Sequence, residues 1–217
     1  MNITNIKKTL EELKSEPSKK FKQSIDAIFI LKNLDLKKSD HQIDIFVELT
    51  KDRGRKNKIC AIVGPELAEE AKRVCDKVIL DSEFDQYKKK NLGKKLAREF
   101  DFFIGQANIM PKIAAIFGRT LGPKGKMPNP KAGCILPPKA TIEPLFKKLQ
   151  KTIRINVKTQ LHFSVSVGNE ESNMDDVAEN IMTLYSGIAK AVAQEKENIK
   201  KVCVKKTMSK LHAIDMN

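Results

Sequence analysis

Apolar residues recur at two different periods along this chain, and the changes of period mark out its organisation. Ile3, Ile6, Leu10 and Leu13 fall at spacings of three and four, which predicts an amphipathic helix over residues 3–14, stopped by Pro17. Alternation follows. Ile25, Ala27, Phe29 and Leu31 occupy every second position, and so do Ile43, Ile45, Val47 and Leu49, the latter set interleaved with Asp44 and Glu48. Each set reads as a strand with one buried face. Residues 51–58, Lys-Asp-Arg-Gly-Arg-Lys-Asn-Lys, have the charge and the glycine of a linker.

Beyond residue 58 the pattern changes. Residues 59–64 form a continuous apolar run, as expected of a strand buried on both faces. A helix over 65–74, a short strand over 77–80, a helix over 91–99, an apolar strand over 102–105 and helices over 111–117 and 142–151 come next. Strand alternating with helix predicts a parallel sheet with helices on its faces. Alternation then returns. Residues 152–157 read as a strand, and in the next one Leu161, Phe163, Val165 and Val167 face one way while His162, Ser164 and Ser166 face the other. A turn over 168–173 leads into a long helix with Val177, Ile181, Leu184, Ile188 and Val192 as one stripe. Asn173 suits its N-cap, and Asp175 and Asp176 suit the positive end of its dipole. Val202-Cys203-Val204 is the last expected strand. The two ends share one style and the middle has another. The simplest architecture is an α+β domain built from residues 1–56 and 152–217, with an α/β domain of residues 57–151 inserted. The two chain crossings would then form a hinge.

Composition narrows the function. Apolar residues make up 41% of the 217, enough for packed cores, and 41 Lys and Arg against 27 Asp and Glu give a net charge of +14. A soluble basic chain points to an acidic partner, most commonly nucleic acid. Both parts are basic, with 19 cations against 10 anions in residues 57–151 and 22 against 17 in the rest. No apolar run approaches the roughly 18 residues of a spanning helix, and the N-terminus lacks the pattern of a signal peptide. A cytoplasmic protein without a membrane partner is expected. Cys60, Cys75, Cys134 and Cys203 contain no C-x-x-C pair, so a zinc site is not expected, and Cys60 and Cys203, set among β-branched residues, read as free, buried thiols. His41, His162 and His212 lie outside any metal or nucleophile motif. No catalytic residue, cofactor or metal is expected.

The densest local signal is Gly118-Arg119-Thr120-Leu121-Gly122-Pro123-Lys124-Gly125-Lys126-Met127-Pro128-Asn129-Pro130-Lys131. Three glycines, three prolines and four cations make a shaped, positive loop that suits a phosphate-rich partner, although a structural surface loop uses the same residues. It is not a Walker loop. The position five before Gly125 is Thr120, not glycine, and Met127 follows Lys126 where a magnesium ligand would be needed.

The order of these residues closely resembles the Gly-x-x-Leu-Gly-Pro-(Lys/Arg)-Gly-x-Met-Pro-x-Pro signature of the ribosomal protein L-one family of the mobile lateral stalk. Asp101-Phe102-Phe103-Ile104-Gly105-Gln106-Ala107 and Met110-Pro111 resemble its archaeal branch. The resemblance implies the same discontinuous layout: an antiparallel sheet with helices on one face, and an inserted three-layer, Rossmann-like α/β domain. It implies a non-enzymatic protein, monomeric when free, that joins other ribosomal components and binds large-subunit rRNA. It further implies help in releasing exit-site tRNA and repression of the protein's own mRNA. On composition alone Phe21, in Lys19-Lys20-Phe21-Lys22-Gln23-Ser24, reads as core. The resemblance instead places Lys20, Phe21 and Ser24 on the rRNA surface, together with Lys205, Thr207, Met208 and Ser209, which match the family's Thr-Met-Gly segment. Here Ser209-Lys210 stands where the family has glycine, often followed by proline. Arg119, Lys124 and Lys126 are candidate RNA contacts in the inserted domain. The competing reading is a small α/β enzyme acting on a phosphorylated substrate.

Overall fold

The computed structural model describes residues 1–17, 19–38, 41–87, 90–138, 140–192 and 195–216. The elements run in chain order as α1 (Ile3–Ser15), β1 (Ser24–Leu31), β2 (Ile43–Glu48), β3 (Ile59–Val63), α2 (Ala68–Val74), β4 (Lys77–Leu80), α3 (Phe84–Tyr87), α4 (Lys90–Glu99), β5 (Phe102–Gln106), α5 (Met110–Leu121), β6 (Ile135–Leu136), α6 (Glu143–Lys151), β7 (Thr152–Val157), β8 (His162–Asn169), α7 (Met174–Ala191), β9 (Ile199–Lys206) and β10 (His212–Ile214). This is a mixed α/β architecture with three sheets among the described residues, one of them parallel. The chain divides into two compact units, one of Met1–Arg55 with Lys151–Asn217, the other of Lys56–Gln150.

In the terminal unit the four-stranded antiparallel sheet has the order β10-β9-β1-β8. Burial alternates along β1, so Ile25, Ala27, Phe29 and Leu31 point into the core. Ile6, Leu10 and Leu13 of α1 and Val177, Ile181, Leu184 and Ile188 of α7 join the same cluster, each on one helix face. Ile3 is exposed, so the buried stripe of α1 starts one turn later than its periodicity suggests. Asn173 caps α7 by accepting from the Asp175 N–H at 3.2 Å. Asn180, fully buried in α7, accepts from Lys51 N at 3.0 Å and donates to Val167 O at 3.1 Å. β2 and β7 form a separate antiparallel pair in which Glu48 faces Thr152, and Leu49 N donates to Lys151 O at 2.9 Å.

In the central unit the parallel sheet has the order β4-β3-β5-β6. All five residues of β3 are buried, as its unbroken apolar run requires. Phe103 of β5 packs in a cluster with Phe84, Leu96, Ile113 and Phe117 from the helices. Where the chain enters and leaves this unit, Asn57 N donates to Gln150 Oε1 at 2.8 Å and Gln150 Nε2 donates back to Asn57 O at 2.9 Å. Asn57 is buried, so the charged stretch 51–58 is held at its far end as well as through Lys51.

The expected elements differ from the observed ones where segments are short or continue. β6 and β10 have two and three residues, too few to display a period, and α3 borders residues 88–89, which lie outside the described residues. Residues 65–67 form a 3-10 turn before α2. α5 runs on to Leu121, because Leu121 extends the Ile113–Phe117 face into the core. The first four residues of the glycine-rich motif are therefore helical.

Cys60, Cys134 and Cys203 are buried and all four cysteines are free. Burial pushes the Cys60 and Cys75 thiols up to about 12 and Cys134 up to about 11, and raises Cys203. At pH 8 a thiol at 12 is about one part in ten thousand thiolate. Native protein at that pH is expected to resist iodoacetamide, while denatured protein takes up four labels. Rapid labelling of native protein would contradict this burial.

Candidate nucleic-acid interface

β1 and β9 are neighbours, with Ile25 facing Lys206, so the turn after β9 lies against the entrance to β1. Thr207 N donates to Ser24 O at 3.2 Å, and Ser24 N donates to Thr207 Oγ1 at 3.3 Å. The two hydroxyls are 3.2 Å apart, and Ser24 Oγ donates to Asp26 Oδ1 at 3.2 Å. Beside them buried Gln23 accepts from Met208 N at 2.9 Å and donates to Glu170 Oε1 at 3.0 Å. Glu170 also accepts from Gln23 N at 3.2 Å and pairs with buried Lys206 at 3.4 Å. The Gln23 N–H, followed by Lys206, holds the Glu170 carboxyl below the usual carboxylate range. Three segments far apart in sequence are thereby locked into one surface.

That surface exposes apolar groups. Phe21 is 50% exposed and Met208 65%, so Phe21 does not take the core position that composition alone suggests. Lys20 and Thr207 are exposed, and Ser24, Lys205 and Ser209 are half-buried. Lys19 and Lys210 line an open groove of about 340 Å³ together with Glu16, Gln23 and Met208. The Ser209 hydroxyl accepts from Lys206 N and donates to Lys210 O, both at 2.8 Å, so it braces its own turn. Gln23, Asp26, Glu170 and Lys206 support the site and were not among the residues expected from sequence. Asp26 is bonded to Ser24 two positions away, but Gln23, Glu170 and Lys206 join one another across partners too far along the chain for any local pattern to reveal them.

The candidates of the central unit separate into two kinds. Arg119, at the end of α5, and Lys124, in the following turn, are exposed. Lys126 instead donates its ammonium to Phe100 O at 2.6 Å, at the C-terminal end of α4, where a cation suits the helix dipole. Gly125 has a φ of +63°, a conformation that glycine adopts without strain. Pro128 sits against Gly105, where an added Cβ would meet its ring at 3.1 Å. Much of the motif therefore shapes its own turn and seats it on β5. The chain leaves β3 for one side of the sheet and β5 for the other, the switch point at which α/β enzymes bind ligands. Here buried Gln106 accepts from Gly64 N at 2.7 Å and donates to Glu66 at 3.3 Å. The Gly64 amide at this point is therefore already bonded within the protein.

Residues 13–210 match the Ribosomal protein L1p/L10e family. The chain is 39% identical over 212 residues to the large ribosomal subunit protein uL1 of Nanoarchaeum equitans, with 96% of each chain covered. It is 36% identical over 210 residues to the protein of that name from Methanothermococcus thermolithotrophicus, again with 96% of each covered. With that of Thermoplasma acidophilum it shares 32% over 210 residues, covering 96% of this chain and 94% of the other.

Proposed function

Since the chain belongs to the ribosomal protein L1p/L10e family, we propose that it grips large-subunit rRNA with the surface formed by Phe21, Ser24, Thr207 and Met208. It is a non-enzymatic protein of the large ribosomal subunit and a component of the cytoplasmic ribosome. The observation that carries the RNA reading is the exposure of Phe21 and Met208 beside a hydrogen-bonded hydroxyl pair, within a rim that includes Lys19, Lys20, Lys205 and Lys210. An aromatic ring and a thioether pack on bases and sugars, hydroxyls meet ribose, and lysines meet phosphate. Titrating the protein with the rRNA stalk fragment, and with a DNA duplex of equal length as competitor, tests the reading. RNA is expected to bind and the duplex to compete poorly. Equal binding of both would reject it.

The same surface suits a second RNA of matching shape, so we infer that the protein also binds its own mRNA and thereby represses translation. On the ribosome it assists the release of exit-site tRNA. In this role the central unit supplies Arg119 and Lys124, while Lys126 braces the turn that carries Lys124. Each phosphate contact removed should lower the slope of log K against log salt by roughly one unit. Arg119→Ala and Lys124→Ala are thus expected to flatten the salt dependence of binding to ribosomes carrying exit-site tRNA. Unchanged slopes would make the loop purely structural.

The two units are read as separate domains, the terminal one holding the rRNA surface. Residues 1–55 joined by a short linker to 151–217 are expected to fold and to bind the stalk fragment within a few-fold of the full chain, roughly 1 kcal/mol. An unfolded or non-binding product would count against this division.

A further inference from the structure

We propose that Asp26 makes this surface selective for a ribose hydroxyl, by fixing the direction of the hydrogen bonds through Ser24 and Thr207. The inference rests on reading the Phe21–Thr207–Met208 surface as the RNA contact. A carboxylate only accepts hydrogen bonds and is a stronger acceptor than a hydroxyl. The single proton of Ser24 Oγ is therefore committed to Asp26 Oδ1. The contact of 3.2 Å between the two hydroxyl oxygens then needs the Thr207 proton, which must point at Ser24 Oγ. An outward-pointing Thr207 proton would set lone pair against lone pair. Thr207 Oγ1 already accepts from Ser24 N. What remains at both oxygens is lone-pair density, and neither has a proton to give.

The backbone around them has the same polarity. The N–H groups of Lys206, Thr207, Met208 and Ser209 donate to Ser209 Oγ, Ser24 O, Gln23 Oε1 and Lys206 O respectively. A turn of four successive amides resembles an anion nest, yet every one of these amides has an acceptor within the protein. A phosphate oxygen, which only accepts, finds no donor at this point and faces the Asp26 carboxylate nearby. A ribose 2′-hydroxyl brings the missing donor. The surface thus divides its work: phosphates meet the lysines of the rim, and the centre accepts one or two sugar hydroxyls. Deoxyribose offers nothing to this centre, and neither does a 2′-O-methyl group.

Affinity measurements on full-length protein test this, using the stalk rRNA fragment and versions with single 2′-deoxy or 2′-O-methyl substitutions. Wild-type protein is expected to lose about tenfold in affinity with either substitution at one or two sugars, the loss of a single buried hydrogen bond. With Asp26→Ala the Ser24 proton is released and the pair can turn. The turned pair can donate to a 2′-oxygen, so the 2′-O-methyl penalty at those sugars should fall below about twofold, while the deoxy penalty stays because a 2′-hydroxyl accepts as well as donates. Ser24→Ala removes the acceptor of the Thr207 proton one step later and should erase the same 2′-O-methyl penalty. Thermal melting of each variant reports that the fold is kept. A full 2′-O-methyl penalty in folded Asp26→Ala and Ser24→Ala proteins would overturn the proposal. So would tighter binding by Asp26→Ala with the penalty unchanged, because Asp26 would then act only through its charge. Wild-type protein indifferent to every deoxy substitution but weakened by Phe21→Ala would also overturn it, while leaving the RNA surface standing. If Phe21→Ala and Thr207→Val both bind normally, the surface reading fails first.

Discussion

Replacing Phe21 with Ala, or Thr207 with Val, is expected to weaken binding to the stalk rRNA fragment by about 1–3 kcal/mol each, with the fold intact. Both side chains are exposed, so neither holds up a core. Phe21→Ala removes a ring that is half open to solvent, and with it the face on which a base or sugar packs. Thr207→Val keeps the shape and deletes one oxygen. In the free protein the Ser24 N–H that this oxygen accepts can turn to water. Under bound RNA it would be buried without a partner, so the loss appears in the complex and not in the melting temperature. The two sites lie on one surface, and their effects should not add fully. Filter-binding or calorimetric affinities of both variants, alongside their melting curves, check this. Normal affinity in folded variants would move the interface elsewhere.

The second large effect is on stability. Asn180→Ala is expected to destabilise the terminal unit by about 2–4 kcal/mol, because Lys51 N–H and Val167 C=O both lose their acceptor or donor inside the protein. At about 2–4 °C per kcal/mol for a chain of this size, the melting temperature should drop by roughly 5–15 °C. Asn180 is fully buried on the face of α7 that packs against the sheet, where water does not readily replace it. A helix-propensity argument alone predicts the opposite sign, since alanine is the better helix former. Thermal unfolding therefore separates the two effects. An unchanged or raised melting temperature would mean that the two backbone groups find other partners.

The elements legible from sequence were those whose burial repeats. β1, with four alternating core residues, the unbroken run of β3 and the stripe of α7 all carry several turns or pleats of signal. β10 has three residues and exists only because β9 offers an edge to pair with, which no local pattern encodes. The proposed interface came from the family resemblance of two segments, since on residue types alone Phe21 reads as core. Its support was not legible. Glu170 reaches Gln23 across 147 positions, and nothing near Glu170 in the chain distinguishes it from the neighbouring Glu171. Lys126 has a distant partner too: one proton of its ammonium goes to the carbonyl of Phe100, 26 positions away, which no local pattern shows.

The mutual bonds between Asn57 and Gln150 carry a consequence for the order of folding. The segment Lys56–Gln150 is contiguous and forms one compact unit, whereas β2 and β7 must find each other across it. As an unstructured loop, a segment of this length would charge their pairing with a sizeable closure entropy, which grows as the logarithm of loop length. Once the central unit has folded, Asn57 and Gln150 hold its two ends together. Glu48 and Thr152 are then joined by a short closed path, and the pair behaves kinetically as a hairpin whose turn is an entire folded unit. Asn57 Nδ2 also donates to Leu149 O at 2.7 Å and to Gln150 O at 3.3 Å, so breaking the clasp takes Asn57→Ala together with Gln150→Ala, and this double change should slow the refolding of the terminal sheet more than it speeds its unfolding.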